Sequence, residues 1–243
     1  MLKLNLNLPD FGLSESNLTH LDARTIIIKK WSWDYSLAHE FQKKSVEFVQ
    51  EHPHVRILIC CNHPRVFTNG RGLQKPKKGE TLDLKEFKID EHKNIPYPIH
   101  QIERGGGLTF HHPGQFIFYP ILKLNPNQLS LSKMTNDIFK FSAEILDSWG
   151  LMDLSFEQKL MGLWKKDQKL ASMGIAINKL VTFHGMALNI YQDNEMKQAL
   201  RSLNPCGLDS NIYVSVEELI PIEQNIIEKF SDLFISKVSH GWK

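Results

Sequence analysis

Apolar positions along this chain follow two rhythms. Over Ile26-Ile27-Ile28, over Arg56-Ile57-Leu58-Ile59-Cys60-Cys61 and across residues 116–124 they run almost unbroken, as in strands buried on both faces. Across residues 34–51, Leu37, Ala38, Phe41, Val46, Phe48 and Val49 instead fit one side of a long helix, with Asp34 placed as its N-cap. The same spacing predicts a second long helix over 130–150, with Gly150 at its C-terminal end, and a last one over about 222–238. Further strands are expected at 99–104 and 108–111. A meander turning near Asn178-Lys179 is expected from 163–164, 169–177 and 181–190, followed by a short helix over 194–203. Strands and helices do not alternate strictly. The pattern predicts an α+β fold, a single domain of mixed and antiparallel sheets flanked by helices, rather than a doubly wound parallel sheet.

The first 23 residues stand apart. Leu2, Leu4, Leu6 and Leu8 alternate with period two, which suits a strand added to a sheet edge or to a partner as well as a loose extension. Residues 9–22 read as a linker. The chain divides into an N-terminal extension, 1–23, and a main domain, 24–243. Segment 68–79 holds three glycines, with Lys75, Lys77 and Lys78 around Pro76, and reads as a long basic loop.

Composition narrows the classes. With 243 residues, 42% hydrophobic and 23% charged, the chain is long enough for a sizeable core. A net charge of +2 argues against a dominant nucleic-acid surface. No run approaches the ~20 apolar residues of a membrane span, and no secretory h-region appears. The expected setting is the cytoplasm, or an organelle matrix after import. Three cysteines cannot all pair, and Cys60 and Cys61 point to opposite faces if their segment is a strand. Cys206 differs from both: Pro205 and Gly207 bracket it, so its thiol is expected in a tight turn.

Three further segments carry candidate chemistry. Arg104-Gly105-Gly106-Gly107-Leu108-Thr109-Phe110-His111-His112-Pro113-Gly114-Gln115 lets backbone pass close to a ligand. It lacks the Gly-Lys-Ser/Thr ending of a phosphate loop, and adjacent His111 and His112 have no Cys or His partner at metal-ligand spacing, so no metal is assigned there. Lys169 opens the apolar strand Leu170-Ala171-Ser172-Met173-Gly174. At an edge it would be merely solvated; turned inward it becomes a candidate proton carrier. The stretch Thr182-Phe183-His184-Gly185-Met186-Ala187-Leu188-Asn189 suits a pocket wall as well as an ordinary core strand.

Together these segments resemble the lipoyl(octanoyl) transferases, also known as lipoate-protein ligase B. Residues 62–70, Asn-His-Pro-Arg-Val-Phe-Thr-Asn-Gly, are similar to the family's His-Pro-x-Val-[Phe/Tyr]-Thr segment. Residues 104–115 resemble its Arg-Gly-Gly-x-x-Thr-[Tyr/Phe]-His-Gly-Pro-Gly-Gln signature, 169–174 its Lys-[Ile/Leu]-x-[Ser/Ala]-x-Gly strand, and 183–189 and 204–207 its Phe-His-Gly-x-Ala-Leu-Asn and Asn-Pro-Cys-Gly segments. The resemblance spans roughly residues 25–215. It implies a biotin/lipoate protein ligase-like fold, and an acyltransferase that moves octanoyl from octanoyl-acyl carrier protein to a lysine of lipoyl domains. Those acceptors are the E2 subunits of 2-oxoacid dehydrogenases or the H protein of glycine cleavage. The transfer is the first step of lipoate biosynthesis and needs no cofactor.

The resemblance also implies roles. Cys206 would carry the acyl group as a thioester, and Lys169 would lower the thiol's pKa and move protons. Arg104, Gly105, Gly106, Gly107, Leu108, Thr109, Phe110 and His111 fall on the family's acyl-binding segments. So do Ser172, Met173 and Gly174 on one strand, and Gly185, Met186 and Ala187 on the next. The strands bearing Phe116, Phe118 and Met173 are expected to line an apolar slot. His112 stands where the family usually has glycine, which bears on pocket shape. Two other readings compete: an ATP-dependent lipoate ligase of the same superfamily, and a degenerate homologue that only binds carrier proteins. The ligase needs no cysteine, and its adenylating site would want more lysine and phosphate-binding features than this chain carries; the joint presence of Cys206 and Lys169 speaks against the degenerate homologue. The lysine runs at 75–78 and 165–166 offer a basic surface to acidic carriers.

Overall fold

The computed structural model describes residues 4–72, 97–157, 160–203 and 212–242. Its strands are β1 (Leu18–His20), β2 (Thr25–Lys30), β3 (Arg56–Cys61), β4 (Val66–Gly72), β5 (Ile99–Gln101), β6 (Gly106–His111), β7 (Gln115–Leu122), β8 (Leu154–Glu157), β9 (Gly162–Lys165), β10 (Gln168–Asn178) and β11 (Val181–Asn189). The helices are α1 (Tyr35–Glu51), α2 (Leu131–Ser148), α3 (Asn194–Leu203), α4 (Val216–Leu219) and α5 (Ile226–Gly241). One sheet has eight strands in the order β1-β2-β3-β7-β11-β10-β9-β8, and a second has three, β5-β4-β6. In the large sheet only β2 and β3 run parallel, and α1 supplies the crossover that a parallel pair requires. This is the mixed α+β arrangement that the hydrophobic pattern predicts.

The large sheet is apolar on both faces because each is covered. On one side Ile57, Ile59 and Ile117 pack with Ala38, Phe41 and Val49 of α1. On the other, Phe116 and Phe118 meet Phe230 and Phe234 of α5, with ring centroids 4.8 Å apart in both Phe116–Phe230 and Phe118–Phe234. Cys60 faces the α2–α5 core and Cys61 the α1 core, as strand alternation requires. Asp34 caps α1, its carboxylate accepting from Leu37 N–H at 3.1 Å. Ser130 caps α2 through Lys133 N–H at 3.2 Å.

Several expectations change. Residues 9–22 are not a plain linker: they contain two 3-10 turns, Leu8–Phe11 and Glu15–Asn17, and β1, which pairs antiparallel with β2. Leu8 and Leu13 join the α1 core. The expected basic loop begins as strand, since β4 extends to Gly72; Lys75, Lys77 and Lys78 lie outside the described residues. The last helix starts at Ile226, and α4 precedes it. Its signal was Ser215-Val216-Glu217-Glu218, a capping box in which Ser215 Oγ lies 2.9 Å from the Glu218 carboxylate. The Leu154–Glu157 strand, four residues of period-two alternation, was also missed.

Candidate active site

The face of β10 and β11 that looks toward the three-stranded sheet carries small side chains. Ser172 and Ala187 are opposite each other in the register, as are Gly174 and Gly185. A side chain at Gly174 would strike the Arg104 side chain and the Gly105 carbonyl. One at Gly185 would strike the Phe118 carbonyl of β7. Small residues here let the glycine run settle directly on the large sheet, and Gly105 N–H donates to Ile175 O at 3.3 Å.

Arg104 holds that run in shape. Its guanidinium donates to Gly105 O (3.0 Å), Gly107 O (2.9 Å), Thr68 O (2.9 Å) and Thr68 Oγ1 (2.8 Å). The side chain is buried, so these charge-assisted bonds also offset its desolvation. Leu108, Thr109 and Phe110 follow on β6 and, with Ser172, Ala187 and Met196, line a slot between the sheets and α3. The slot measures about 10 Å³, space for about one water molecule. Anything larger would have to displace one wall, and the wall formed by Met196 and Leu200 of α3 belongs to a small separate core with Phe67, Leu108 and Phe110.

His111 stands below the run. Nδ1–H donates to Gln115 Oε1 (3.1 Å) and Nε2 accepts from Thr68 Oγ1 (3.2 Å), a pattern that fixes a neutral ring. Burial holds its pKa well below 6.5, and the nearby charge of Arg104 works in the same direction. Gln115 passes the connection on: its amide donates to Phe110 O (3.1 Å) and to Asn189 Oδ1 (2.9 Å). Asn189 donates to Val214 O at 3.3 Å, and Val214 N–H donates to Lys169 O at 3.1 Å. Gln115 and Asn189 were not singled out from sequence, although they close the 104–115 and 183–189 segments.

Lys169 points inward. Its Nζ donates to Leu160 O at 2.9 Å and lies 5.4 Å from the centroid of the Trp164 ring, and the residue is 6% exposed. Its backbone bridges to Tyr213. Cys206, with the 204–207 segment, lies outside the described residues.

Not every expected residue faces the slot. Met173 and Met186 sit in the α2–α5 core, where Ser142 Oγ approaches Met186 Sδ at 3.6 Å. Phe116 and Phe118 turn the same way, so the slot is not lined by them. The reason is parity: on a strand, neighbours of slot-facing residues point to the other face. His112 is also absent from the slot lining. It is buried beside Phe110, with Nδ1 3.7 Å from Asp193 Oδ2. Asp193 in turn pairs with Arg65 at 2.9 Å and accepts from Met196 N–H at 2.7 Å at the start of α3.

Among the described residues, no helix is long and apolar enough to cross a membrane. The family described as the lipoyl protein ligase A/B catalytic domain matches residues 34–238. The chain is 31% identical over 212 residues to the chloroplastic octanoyltransferase LIP2p2 of Arabidopsis thaliana, covering 87% of this chain and 70% of that one. It is 28% identical over 218 residues to an octanoyltransferase of Nostoc sp. strain PCC 7120, covering 86% and 91%. Its fold is similar to that of a lipoate-protein ligase A crystallised with ATP, with a TM-score of 0.60 at 14% identity over 91% of this chain and 85% of that one.

Proposed function

The chain belongs to the lipoyl protein ligase A/B catalytic-domain family and is an octanoyltransferase of lipoate biosynthesis, and from that premise we propose that it works through a thioester on Cys206 assisted by Lys169. Octanoyl transfer of this kind moves the acyl group from an acyl carrier to a lipoyl domain. The specific donor in this reading is octanoyl-acyl carrier protein, and the acceptors are the lipoyl domains of 2-oxoacid dehydrogenase E2 subunits or the glycine cleavage H protein. Residues 24–243 act as the catalytic domain and 1–23 as an N-terminal extension, in which Leu8 and Leu13 pack on it. A reducing compartment, the cytoplasm or an organelle matrix, suits a free catalytic thiol.

One observation carries the reading. Lys169 is a buried lysine whose side chain lies against Leu160, Gly162 and Trp164, and its backbone holds Tyr213 and Val214, seven and eight residues after Cys206. That tether keeps the segment bearing Cys206 within a seven-residue reach of Lys169, and the reading places the Lys169 ammonium beside the Cys206 thiol. An ammonium nearby favours the thiolate, which is the nucleophile. The thiolate attacks the donor's thioester carbonyl, and the donor sulfur leaves as its thiol with a proton from Lys169. The neutral amine of the acceptor lysine then attacks the Cys206 thioester. An amide forms, Cys206 leaves as thiolate, and Lys169 takes the surplus proton of the amine. With the Gly105 N–H already given to Ile175 O, the backbone N–H groups of Gly106 and Gly107 in the Arg104-clamped run are the candidate donors to the tetrahedral oxyanion. Leu108, Thr109, Phe110, Ser172 and Ala187 would bound the acyl chain, with His111 supporting the run from beneath.

The test is intact mass spectrometry after mixing with octanoyl-acyl carrier protein in the absence of ATP. The expected product is the protein plus one octanoyl group, lost in Cys206→Ser. Full transfer by Cys206→Ser, or a strict need for ATP, would overturn the proposal.

A further inference from the structure

Three side chains from distant segments converge at the far end of β10 and β11 from Lys169. His39 comes from α1, Glu103 from the turn between β5 and β6, and His184 from β11. His39 Nε2 lies 3.0 Å from Glu103 Oε2 and His184 Nε2 lies 3.9 Å from the same oxygen. One nitrogen or oxygen from each residue lies within 4.8 Å of the others. A hydrogen bond accounts for His39 and Glu103. It leaves His184 unexplained: its side chain is 2% exposed, and Nε2 has no hydrogen-bond partner among the described residues. A buried polar nitrogen without a partner is costly, since it has given up water and gained nothing in return. The backbone that presents the ring is held in place: the His184 main-chain N–H donates to Gln42 Oε1 at 2.8 Å, and the residue takes the left-handed φ of 58°.

We propose that His39, Glu103 and His184 bind one divalent transition-metal ion of the zinc class. Two imidazole nitrogens and one carboxylate oxygen form a donor set suited to such ions, with a fourth tetrahedral position left for water. Bonds of about 2.0–2.1 Å require ligand atoms about 3.3 Å apart, and the 3.0 and 3.9 Å separations straddle that value. The neighbours permit it. Lys43 Nζ is 3.8 Å from the other Glu103 oxygen, but its side chain is 46% exposed and free to swing away. Of the three ligands Glu103 also lines a cavity of about 490 Å³, with Lys43, Arg71 and Phe183, so an ion would be reached from the carboxylate side. An ion there ties α1, β11 and the residue preceding Arg104 together, and so stiffens the base of the glycine run. The inference is independent of the thioester reading.

The test uses the full-length protein, stripped with chelator, desalted and titrated with Co²⁺ as a spectroscopic probe. The expected result is one equivalent bound, with the visible d–d bands of four-coordinate cobalt, no thiolate charge-transfer band, and displacement by Zn²⁺. His39→Ala and Glu103→Gln should each weaken binding more than about a hundredfold, since changes outside the ligand shell alone cost 10–100-fold. His112→Gln and Cys206→Ser should leave it intact, with circular dichroism confirming that every variant is folded. The proposal falls if no Co²⁺ binds at millimolar concentration. It also falls if His39→Ala binds as the parent does, or if Cys206→Ser abolishes the signal.

Discussion

His63 offers a sharp test of how the polar layer beneath the glycine run is held. The ring is fully enclosed between α1 and β7. Its Nδ1–H donates to Trp33 O at 2.7 Å and its Nε2 accepts from Tyr119 O–H at 3.0 Å, so the neutral ring is fully satisfied. Burial lowers its pKa from 6.5 to about 4. A histidine whose folded pKa is depressed takes up its proton more readily when unfolded. Between about pH 6.5 and 4 the unfolded chain therefore binds more protons, and stability rises with pH. The contribution is fully present above 6.5 and is lost as pH falls toward 4. The whole shift corresponds to about 3 kcal/mol at about 1.4 kcal/mol per pKa unit. Between pH 7 and 5 the linkage relation gives about 2 kcal/mol, a sizeable part of the 5–15 kcal/mol typical of a folded domain. His63→Gln removes this proton and leaves His111, His112 and His184, which burial also holds low. Urea unfolding of both proteins at pH 7 and pH 5 isolates the term. The parent should exceed the variant at pH 7, and that margin should shrink by about 2 kcal/mol at pH 5. A margin that does not change with pH would show that His63 titrates as it does in the unfolded chain, and would refute the buried neutral ring.

Other predictions follow from the same contacts. Lys169→Met keeps the stem over Trp164 and removes the charge; octanoyl transfer should fall by about 10²–10⁴ and alkylation of Cys206 should move to higher pH, so an unchanged alkylation profile would reject the proton-carrier role. Gln115→Leu strips partners from His111 Nδ1, Phe110 O and Asn189 Oδ1; at about 1–3 kcal/mol for each buried orphan it should lower the urea midpoint clearly, and an unshifted midpoint would dismiss the bridge. His112→Gly should leave the ranking of hexanoyl, octanoyl and decanoyl donors by kcat/KM unchanged, because the ring faces Asp193 and not the slot; a reordered ranking would place it at the acyl chain.

The parts of the fold visible in sequence are those decided locally. Asp34 and Ser130 mark helix starts because their caps act within three residues. The unbroken runs at 56–61 and 116–122 declare strands covered on both faces. What stayed hidden depends on distant partners. Thr68-Asn69-Gly70 has turn chemistry, yet it is strand because Thr68 pairs with Thr109 and Asn69 with Leu108 of β6. Leu8 and Leu13 look like part of a linker until α1 gives them a surface. The site divides in the same way. Motif order pointed to the segments, while the face taken by Met173 and Met186 follows from parity with Ser172 and Ala187, a signal present in sequence but not applied. The His39–Glu103–His184 group had no local signal, since its members stand 64 and 81 residues apart.

Parity also explains how a sheet this heavily packed can hold a slot at all. On β10 and β11 one face carries Met173, Met186 and Leu188, which fill the α2–α5 core. The other carries Ser172, Gly174, Gly185 and Ala187, and the missing volume on that side is taken by backbone. Arg104 secures that exchange, because its guanidinium ties Gly105 and Gly107 to Thr68 while its stem lies against Gly174. Backbone, rather than side chains, is thereby brought close to the sheet, and in the proposed mechanism its remaining N–H groups would meet the negative charge that develops on a carbonyl oxygen. An Arg104→Lys change would keep the charge but lose the fork that reaches both glycine carbonyls and Thr68 together. In the proposed mechanism the arginine would act through the backbone it shapes, and its worth would lie in geometry more than in charge.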